Sequence, residues 1–113
     1  MAANTSTLEG GIGLIEVKGS LAGGEEIDEL RRAIAGFIDR DYQKVIIDLS
    51  NVSYLNSTAL GVLVGAHTSF VRKGWNIKVC GVNKNIDSIF VITKLSLVLD
   101  VYDTREKAIH SFK

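Results

Sequence analysis

The chain has 113 residues, of which 46% are hydrophobic and 23% are charged, and this fits one globular domain with a buried core. Its 13 basic and 13 acidic residues give a formal net charge of zero, which argues against nucleic acid or an anionic membrane as a partner. The single cysteine, Cys80, excludes an internal disulfide. We see no signal peptide and no apolar run near the roughly 20 residues that span a bilayer, so we expect a cytoplasmic protein without membrane insertion.

The first elements in the chain are predicted to be a tail and a hairpin. Residues 1–4 are expected to form a flexible tail, and the domain is expected to cover residues 5–113. Short strands are predicted at Thr5–Leu8 and Ile12–Lys18, on either side of Gly10-Gly11. Because adjacent glycines supply the positive φ angles that tight turns require, these strands are predicted to form an edge hairpin.

The middle of the chain predicts a helix, a strand and a second helix. Apolar residues at helical spacing predict a helix over Glu25–Asp39, and the β-branched run Lys44–Leu49 predicts a buried central strand. The second helix is predicted over Ser57–Arg72, with Asn56, Ser57 or Thr58 as its N-cap.

The last third of the chain continues this alternation. It predicts a strand over Trp75–Cys80, a short helix over Ile86–Thr93, a strand over Leu97–Val101 and a terminal helix capped by Asp103 with Glu106. The whole pattern predicts an α/β fold: one domain with a mixed, mostly parallel sheet, an N-terminal edge hairpin and about four helices. In such sheets, ligands and partners meet the loops at the carboxyl ends of the strands.

Sequence patterns of common catalytic and ligand sites are absent. The chain has no Walker loop, dinucleotide-binding glycine motif, zinc-ligand spacing or nucleophile elbow. Gly19–Gly24 is glycine-rich but lacks the Lys-Ser/Thr ending of a phosphate-binding loop, so we interpret its diglycine, Gly23-Gly24, as a loop before a helix. His67 is interpreted as structural, and His110 is expected to interact with carbonyls at the end of the terminal helix. We therefore expect no catalytic residue, metal or cofactor.

Three consecutive small polar residues, Asn56, Ser57 and Thr58, stand where the central strand passes to the second helix. One interpretation is a helix cap, which contributes about 1 kcal/mol. The other is a phosphorylation site, because the free amides and the dipole at a helix N-terminus stabilise a phosphoryl group. Such a group would add about two negative charges and prevent a protein contact by repulsion.

The segment Val45–Gly65 resembles the signature of STAS domains, specifically that of bacterial anti-sigma factor antagonists. A hydrophobic strand ends in Asp48-Leu49-Ser50, a Val-Ser-Tyr segment follows, and Asn56–Gly61 is similar to the Asp-Ser-Ser/Thr-Gly-Leu-Gly motif that opens a helix. The flanking segments Val17–Leu21 and Ile89–Leu95 also resemble the family, so the likeness covers nearly the whole chain from Ile12 to Phe112. It implies a single STAS domain.

This resemblance implies a regulatory binding protein rather than an enzyme. Unphosphorylated members bind an anti-sigma factor that is also a serine kinase, and this releases a sigma factor. The kinase inactivates its antagonist by phosphorylating a hydroxyl at the helix start, and a phosphatase restores it. The acceptor hydroxyls map onto Ser57 and Thr58, and serine is the usual acceptor. The partner-binding residues implied by the resemblance are Ser20, Leu21, Gly23, Asn56, Ser57, Thr58, Gly61, Val62 and Gly65.

Two single residues and one pair of residues depart from the family signature and leave alternatives open. Asn56 replaces an acidic residue and so removes a negative charge, Ala59 replaces a glycine, and Leu21-Ala22 stands where the family often has an acidic residue. A second hypothesis is therefore a STAS scaffold subunit of a larger complex, such as a stressosome or a lipid-transport assembly, that works without phosphorylation. A nucleotide-binding or small-molecule-binding STAS module is a third, and a weak homodimer also stays open.

Overall fold

The structure is a computed structural model and describes residues 2–113. Its elements in chain order are β1 Ala3–Leu8, β2 Ile12–Leu21, α1 Gly24–Asp39, β3 Lys44–Leu55, α2 Ser57–Arg72, β4 Asn76–Cys80, α3 Lys84–Ile92, a 3-10 turn at Leu95–Leu97, β5 Val101–Tyr102 and α4 Arg105–Ser111. The strands form one sheet in the order β1-β2-β3-β4-β5, in which β1 is antiparallel to β2 and the other pairs are parallel. The predicted fold class is confirmed.

The N-terminal hairpin forms as predicted, but β1 starts earlier in the chain and β2 continues to Leu21 instead of ending at Lys18. Gly10 and Gly11 at its turn have φ angles of +85° and +75°. The prediction of a tail over residues 1–4 is wrong for Ala3 and Asn4, which belong to β1, while Met1 lies outside the described residues. Ala3 pairs with Val17 of β2 and is 7% exposed. Pairing with β2 therefore makes a strand of a segment whose sequence has no alternation of apolar and polar residues.

β3 is the central strand, as predicted, but it continues to Leu55 instead of ending at Leu49. Its polar continuation pairs with the end of β2, and the register shifts twice along this part of the pair. These shifts keep Val52 and Leu55 buried although the residues between them are exposed. The carboxyl ends of β2 and β3 therefore lie side by side, directly before α1 and α2.

Hydrophobic cores cover both faces of the sheet. Helices α1, α2 and α3 pack on one face, where Phe37, Phe70 and Phe90 are completely buried. On the other face, Ala108 of α4 packs in a smaller cluster with Ile12, Leu14, Ile46 and Cys80. This arrangement places α1 beside α2 and leaves their N-termini at the carboxyl edge of the parallel strands.

The segment after α3 differs from the prediction. The apolar run Leu97–Val101 is not a strand, and β5 consists of Val101–Tyr102 alone. Lys94 has a left-handed conformation with φ +62° and turns the chain into the 3-10 turn. Leu97 and Val98 consequently stay 83% and 47% exposed instead of joining the sheet.

The cap of α4 also differs from the prediction. Thr104 is the N-cap, and its hydroxyl accepts a hydrogen bond from the Lys107 amide at 3.1 Å. The Asp103 carboxylate instead pairs with the Lys107 ammonium at 3.3 Å. The predicted capping box of Asp103 with Glu106 is therefore wrong by one position, because threonine and aspartate are both good caps and stand next to each other.

Candidate functional site

Asn56 lies at the junction between β3 and α2 and uses both ends of its side-chain amide. Its Oδ1 accepts a hydrogen bond from the Ala59 amide at 2.9 Å, and its Nδ2 donates one to the Ala22 carbonyl at 3.1 Å. Its backbone amide donates to the Leu21 carbonyl at 3.1 Å. Asn56 is therefore the N-cap of α2, and it also joins this helix to the loop between β2 and α1.

Ser57 and Thr58 are the first two residues of α2, and both are exposed. The cap hydrogen bonds at this junction belong to Asn56 and use neither hydroxyl. The first turn of α2 has no acidic residue, so the helix dipole and the free first-turn amides favour a negative charge here. The two hydroxyls are thus accessible and electrostatically suited to carry a phosphoryl group.

The N-terminus of α1 has the opposite electrostatic character. Its N-cap, Gly23, makes no side-chain hydrogen bond, and Glu25 and Glu26 lie in the first turn. The Glu26 carboxylate occupies the space that a side chain at position 23 would need. These two carboxylates would repel an anion, which argues against a phosphate cradle here. The loop itself is shorter than the glycine-rich segment, because Gly19–Leu21 belongs to β2 and Gly24 begins α1.

A groove of about 510 Å³ separates α1 from α2. Thr58 lines this groove, whereas Ser57 does not. Most of the other lining residues are small or apolar, and the charged one is Arg31, which lies 3.8 Å from Asp28. The two candidate acceptors therefore face different surroundings. The groove is lined by Arg31, Ile34, Ala35 and Ile38 of α1 and by Thr58, Gly61, Val62, Gly65, Ala66 and Ser69 of α2.

The predicted partner-binding residues fall into two adjoining groups. Ser20 and Gly23 are exposed at the end of β2 and in the following loop, beside Asn56 and Ser57. The second group, which lines the groove, consists of Thr58, Gly61, Val62 and Gly65. The prediction is wrong for the side chain of Leu21, which is completely buried and packs in the core. Leu21 therefore supports the loop from within the core and does not offer its side chain to a partner.

Tyr54 belongs to the same surface, although it is not among the predicted partner-binding residues. Its side chain is 50% exposed, and it pairs in register with Ser20. Exposed tyrosines in polar surroundings are frequent anchors of protein interfaces. The missed signal is a large aromatic residue on a solvent-facing position of the strand, two residues before the helix cap.

Asp48 of the Asp-Leu-Ser segment has a structural role on the other face of the sheet. Its Oδ1 accepts hydrogen bonds from the Ser50 amide at 2.9 Å and from the Ser50 hydroxyl. Its Oδ2 lies 2.9 Å from the guanidinium of Arg105, which also pairs with Glu16 at 2.8 Å. Burial alone would raise the pKa of Asp48, but the bonds from Ser50 and Arg105 outweigh it and hold this pKa below its usual value. The cluster attaches α4 to the sheet.

The remaining reactive side chains do not form a site. Burial raises the pKa of the Cys80 thiol to about 12, so this thiol is neutral. His67 is partly buried on α2, and His110 lies in the last turn of α4. Within residues 2–113, no three His, Cys, Asp or Glu side chains come together as metal ligands. Over the same residues, none of the helices has the length and apolar character needed to cross a membrane.

Comparison with known proteins agrees with this geometry. The STAS domain model matches residues 6–108, so the chain belongs to the STAS domain family. Its curated relatives include anti-sigma factor antagonists. The anti-sigma-B factor antagonist of Staphylococcus epidermidis is 31% identical over 80 residues, which is 71% of this chain and 74% of that one. The anti-sigma F factor antagonist of Paenibacillus polymyxa is 26% identical over 70 residues, which is 62% of this chain and 60% of that one. The matched region therefore spans less than two thirds of this relative's length.

A solved structure shows the same fold. The Bacillus cell fate determinant SpoIIAA in its phosphorylated form superimposes with a TM-score of 0.78 at 17% identity, covering 99% of this chain and 100% of that one. The predicted resemblance is confirmed: the chain is a STAS domain protein of the anti-sigma factor antagonist family.

Proposed function

We propose that the chain is an anti-sigma factor antagonist controlled by phosphorylation. The unmodified form binds an anti-sigma factor that is also a serine kinase, and this frees a sigma factor in the bacterial cytoplasm. Phosphorylation of Ser57 or Thr58 ends the binding, and a phosphatase restores it. In this scheme the chain is not an enzyme and takes no cofactor. The observation that carries the proposal is the pair of exposed hydroxyls at a helix N-terminus without acidic residues.

The electrostatics of α2 explain how a phosphoryl group would act on the partner and not on the fold. The group would add about two negative charges, and the helix dipole stabilises a charge at this end by about 0.3–1 kcal/mol. The helix therefore stays intact. A partner that buried this corner would have to remove water from a dianion, which is costly unless the partner supplies a matching cation.

Ser57 is the preferred acceptor in this proposal. Both residues are exposed, but Thr58 lines the largely apolar groove between α1 and α2, whereas Ser57 does not. A phosphoryl group on Thr58 would enter the groove, whereas one on Ser57 would leave the groove open. The two modifications are therefore expected to block different parts of the surface.

The first test asks whether the chain is phosphorylated. Purified chain is incubated with Mg-ATP and soluble extract of its source organism, and its intact mass and modified site are determined. We expect one added phosphoryl group, lost in Ser57→Ala if Ser57 is the acceptor and in Thr58→Ala if Thr58 is. The matched control is Thr68→Ala, because the Thr68 hydroxyl lies on the same helix but donates to the Val64 carbonyl at 3.0 Å. An unmodified wild-type chain, beside another antagonist that is phosphorylated in the same extract, would contradict the proposal.

The second test measures binding to the purified serine-kinase anti-sigma factor of the same organism. Ser57→Ala removes the acceptor without adding charge and should bind like the wild type. Ser57→Asp places a negative charge at the helix N-terminus and should bind more weakly. Equal affinity of wild type, Ser57→Ala, Thr58→Ala and Ser57→Asp would leave the phosphorylation switch without support.

A STAS scaffold subunit remains the second candidate function, and one observation favours it. Val91, Ile92, Leu97 and Val98 are 57%, 80%, 83% and 47% exposed and lie close together in the chain, around the end of α3. A contiguous exposed apolar patch marks a protein interface, and these four side chains are the candidates for one. If Ile92→Lys abolished assembly into a larger complex while the Ser57 and Thr58 variants left it unchanged, the scaffold function would replace the switch.

A further inference from the structure

The loop between β2 and α1 is hydrogen-bonded to Asn56. Only Ala22 and Gly23 separate the last residue of β2 from the first residue of α1. The two carbonyls at the start of this connection, those of Leu21 and Ala22, both accept hydrogen bonds from Asn56, one from its backbone amide and one from its side chain. Gly23 follows directly and has the wide backbone freedom of glycine, so the bond to Ala22 is the side-chain contact that restrains the exposed part of the loop.

We propose that Asn56 is a positioning residue whose side-chain NH₂ holds the β2–α1 loop against the first turn of α2. Ser20 and Gly23 of one segment and the hydroxyls of Ser57 and Thr58 of the other then form a single pre-arranged surface. The functional consequence, faster recognition by the kinase partner, rests on the proposed function. The positioning itself does not.

The chemistry of the side chain makes this role specific to asparagine. Aspartate or serine at position 56 would still accept the Ala59 amide and cap α2, since these residues are comparable caps. Neither has an NH₂ group to donate to the Ala22 carbonyl in the present geometry, and a carboxylate would face that carbonyl as a second acceptor. Substitution at this position therefore separates capping from loop positioning.

A second asparagine in the chain offers a matched control. Asn83 caps α3 by accepting the Ile86 amide at 3.0 Å, and its Nδ2 donates to the Val52 carbonyl at 2.9 Å. Asn83→Asp removes the same kind of donor from the same kind of cap, but at the start of another helix. It should leave the β2–α1 loop unchanged.

The structural test needs no partner. Nitrogen-15 relaxation of Ala22, Gly23 and Gly24, and hydrogen exchange of the Ile27 amide, which donates to the Gly23 carbonyl at 3.2 Å, are compared in the wild type, Asn56→Asp, Asn56→Ser and Asn83→Asp. Both position-56 variants should loosen the loop, with exchange of the Ile27 amide faster by about five-fold, the loss of one net hydrogen bond, and with a Tm lower by about 4 °C, the fall that the same loss of stability produces. A loop equally ordered in the wild type and both position-56 variants would overturn the proposal, as would equal loosening in Asn83→Asp.

The functional test uses the kinase-containing extract described above. The initial phosphorylation rate should fall by about five-fold in Asn56→Ser, which adds no charge, and should be unchanged in Asn83→Asp. A loosened loop with an unchanged rate in Asn56→Ser would overturn the functional half of the proposal. A wild-type chain that is never phosphorylated would instead refute the proposed function, and the relaxation data would still decide the positioning role.

Discussion

Removal of the Arg105 guanidinium should weaken the attachment of α4 to the sheet. Arg105 bonds to Asp48, a residue 57 positions away whose side chain is 8% exposed. In Arg105→Met the apolar stem is retained and the charge is lost, so Asp48 keeps its bonds from Ser50 but loses its counter-charge. The expected result is a lower free energy of unfolding.

The size of the effect follows from burial. Breaking a fully buried ion pair from one side costs about 3–5 kcal/mol. The Arg105 side chain is 33% exposed and Ser50 still satisfies one carboxylate oxygen, so we expect about 2 kcal/mol. That corresponds to a fall in Tm of roughly 8 °C for a domain of this size. Lys107→Met on the same helix is the matched control, because its pair with Asp103 is 64% and 86% exposed and should contribute at most about 0.5 kcal/mol.

The pH dependence of this difference gives an independent check. Because the pKa of Asp48 in the folded state lies below the unfolded value of about 3.9, its ionic bonds contribute at higher pH and are lost as the pH falls through the folded pKa. Urea unfolding of wild type and Arg105→Met should therefore show a constant gap from pH 7 to about pH 5, narrowing below pH 4. A gap no larger than that of Lys107→Met, or one that widens in acid, would refute the assigned role of Arg105.

Three further predictions concern a constrained glycine, the buried thiol and a leucine of the core. Gly81→Ala should lower the free energy of unfolding by more than about 2 kcal/mol, because φ is +72° and the new methyl group would meet Ser50. Gly74→Ala is the control: its φ is +75° but the space around it is open, so it should cost only about 1 kcal/mol in the same urea unfolding experiment. Cys80 should react with a thiol reagent at pH 8 only as fast as the chain opens, since it is buried and its pKa is about 12; rapid reaction would show that it is accessible. Leu63→Ala should cost about 2–5 kcal/mol in urea unfolding, because the side chain is 2% exposed, and a cost below about 1 kcal/mol would contradict its place in the core.

Helix α2 shows how much the sequence can predict when the information is local. Its bounds, Ser57–Arg72, agree with the prediction, and so does the position of its cap. A cap residue, an apolar stripe and a following glycine all lie within one continuous segment and act over a few residues. The exposed hydroxyls at its start could be proposed as a site for the same reason.

The end of β3 and the region of β5 show where this kind of information fails. The polar residues after Leu49 look like a loop and become a strand, because β2 pairs with them through a shifted register. The apolar residues Leu97 and Val98 look like a strand and stay exposed, because none of the strands within residues 2–113 pairs with them. Strand formation depends on a partner, and the partner is not part of the local pattern.

The sequence by itself determined the class of this protein: alternating strands and helices, a capped second helix with two hydroxyls at its start, and the STAS signature around it. Only the tertiary structure decided that Leu21 is buried, that Tyr54 joins the exposed surface, that Asn56 reaches the Ala22 carbonyl and that Asp48 meets Arg105. The physical reason is distance along the chain. Helix periodicity and caps depend on neighbours within a few residues, whereas these contacts join segments that come together only when the sheet and its helices pack.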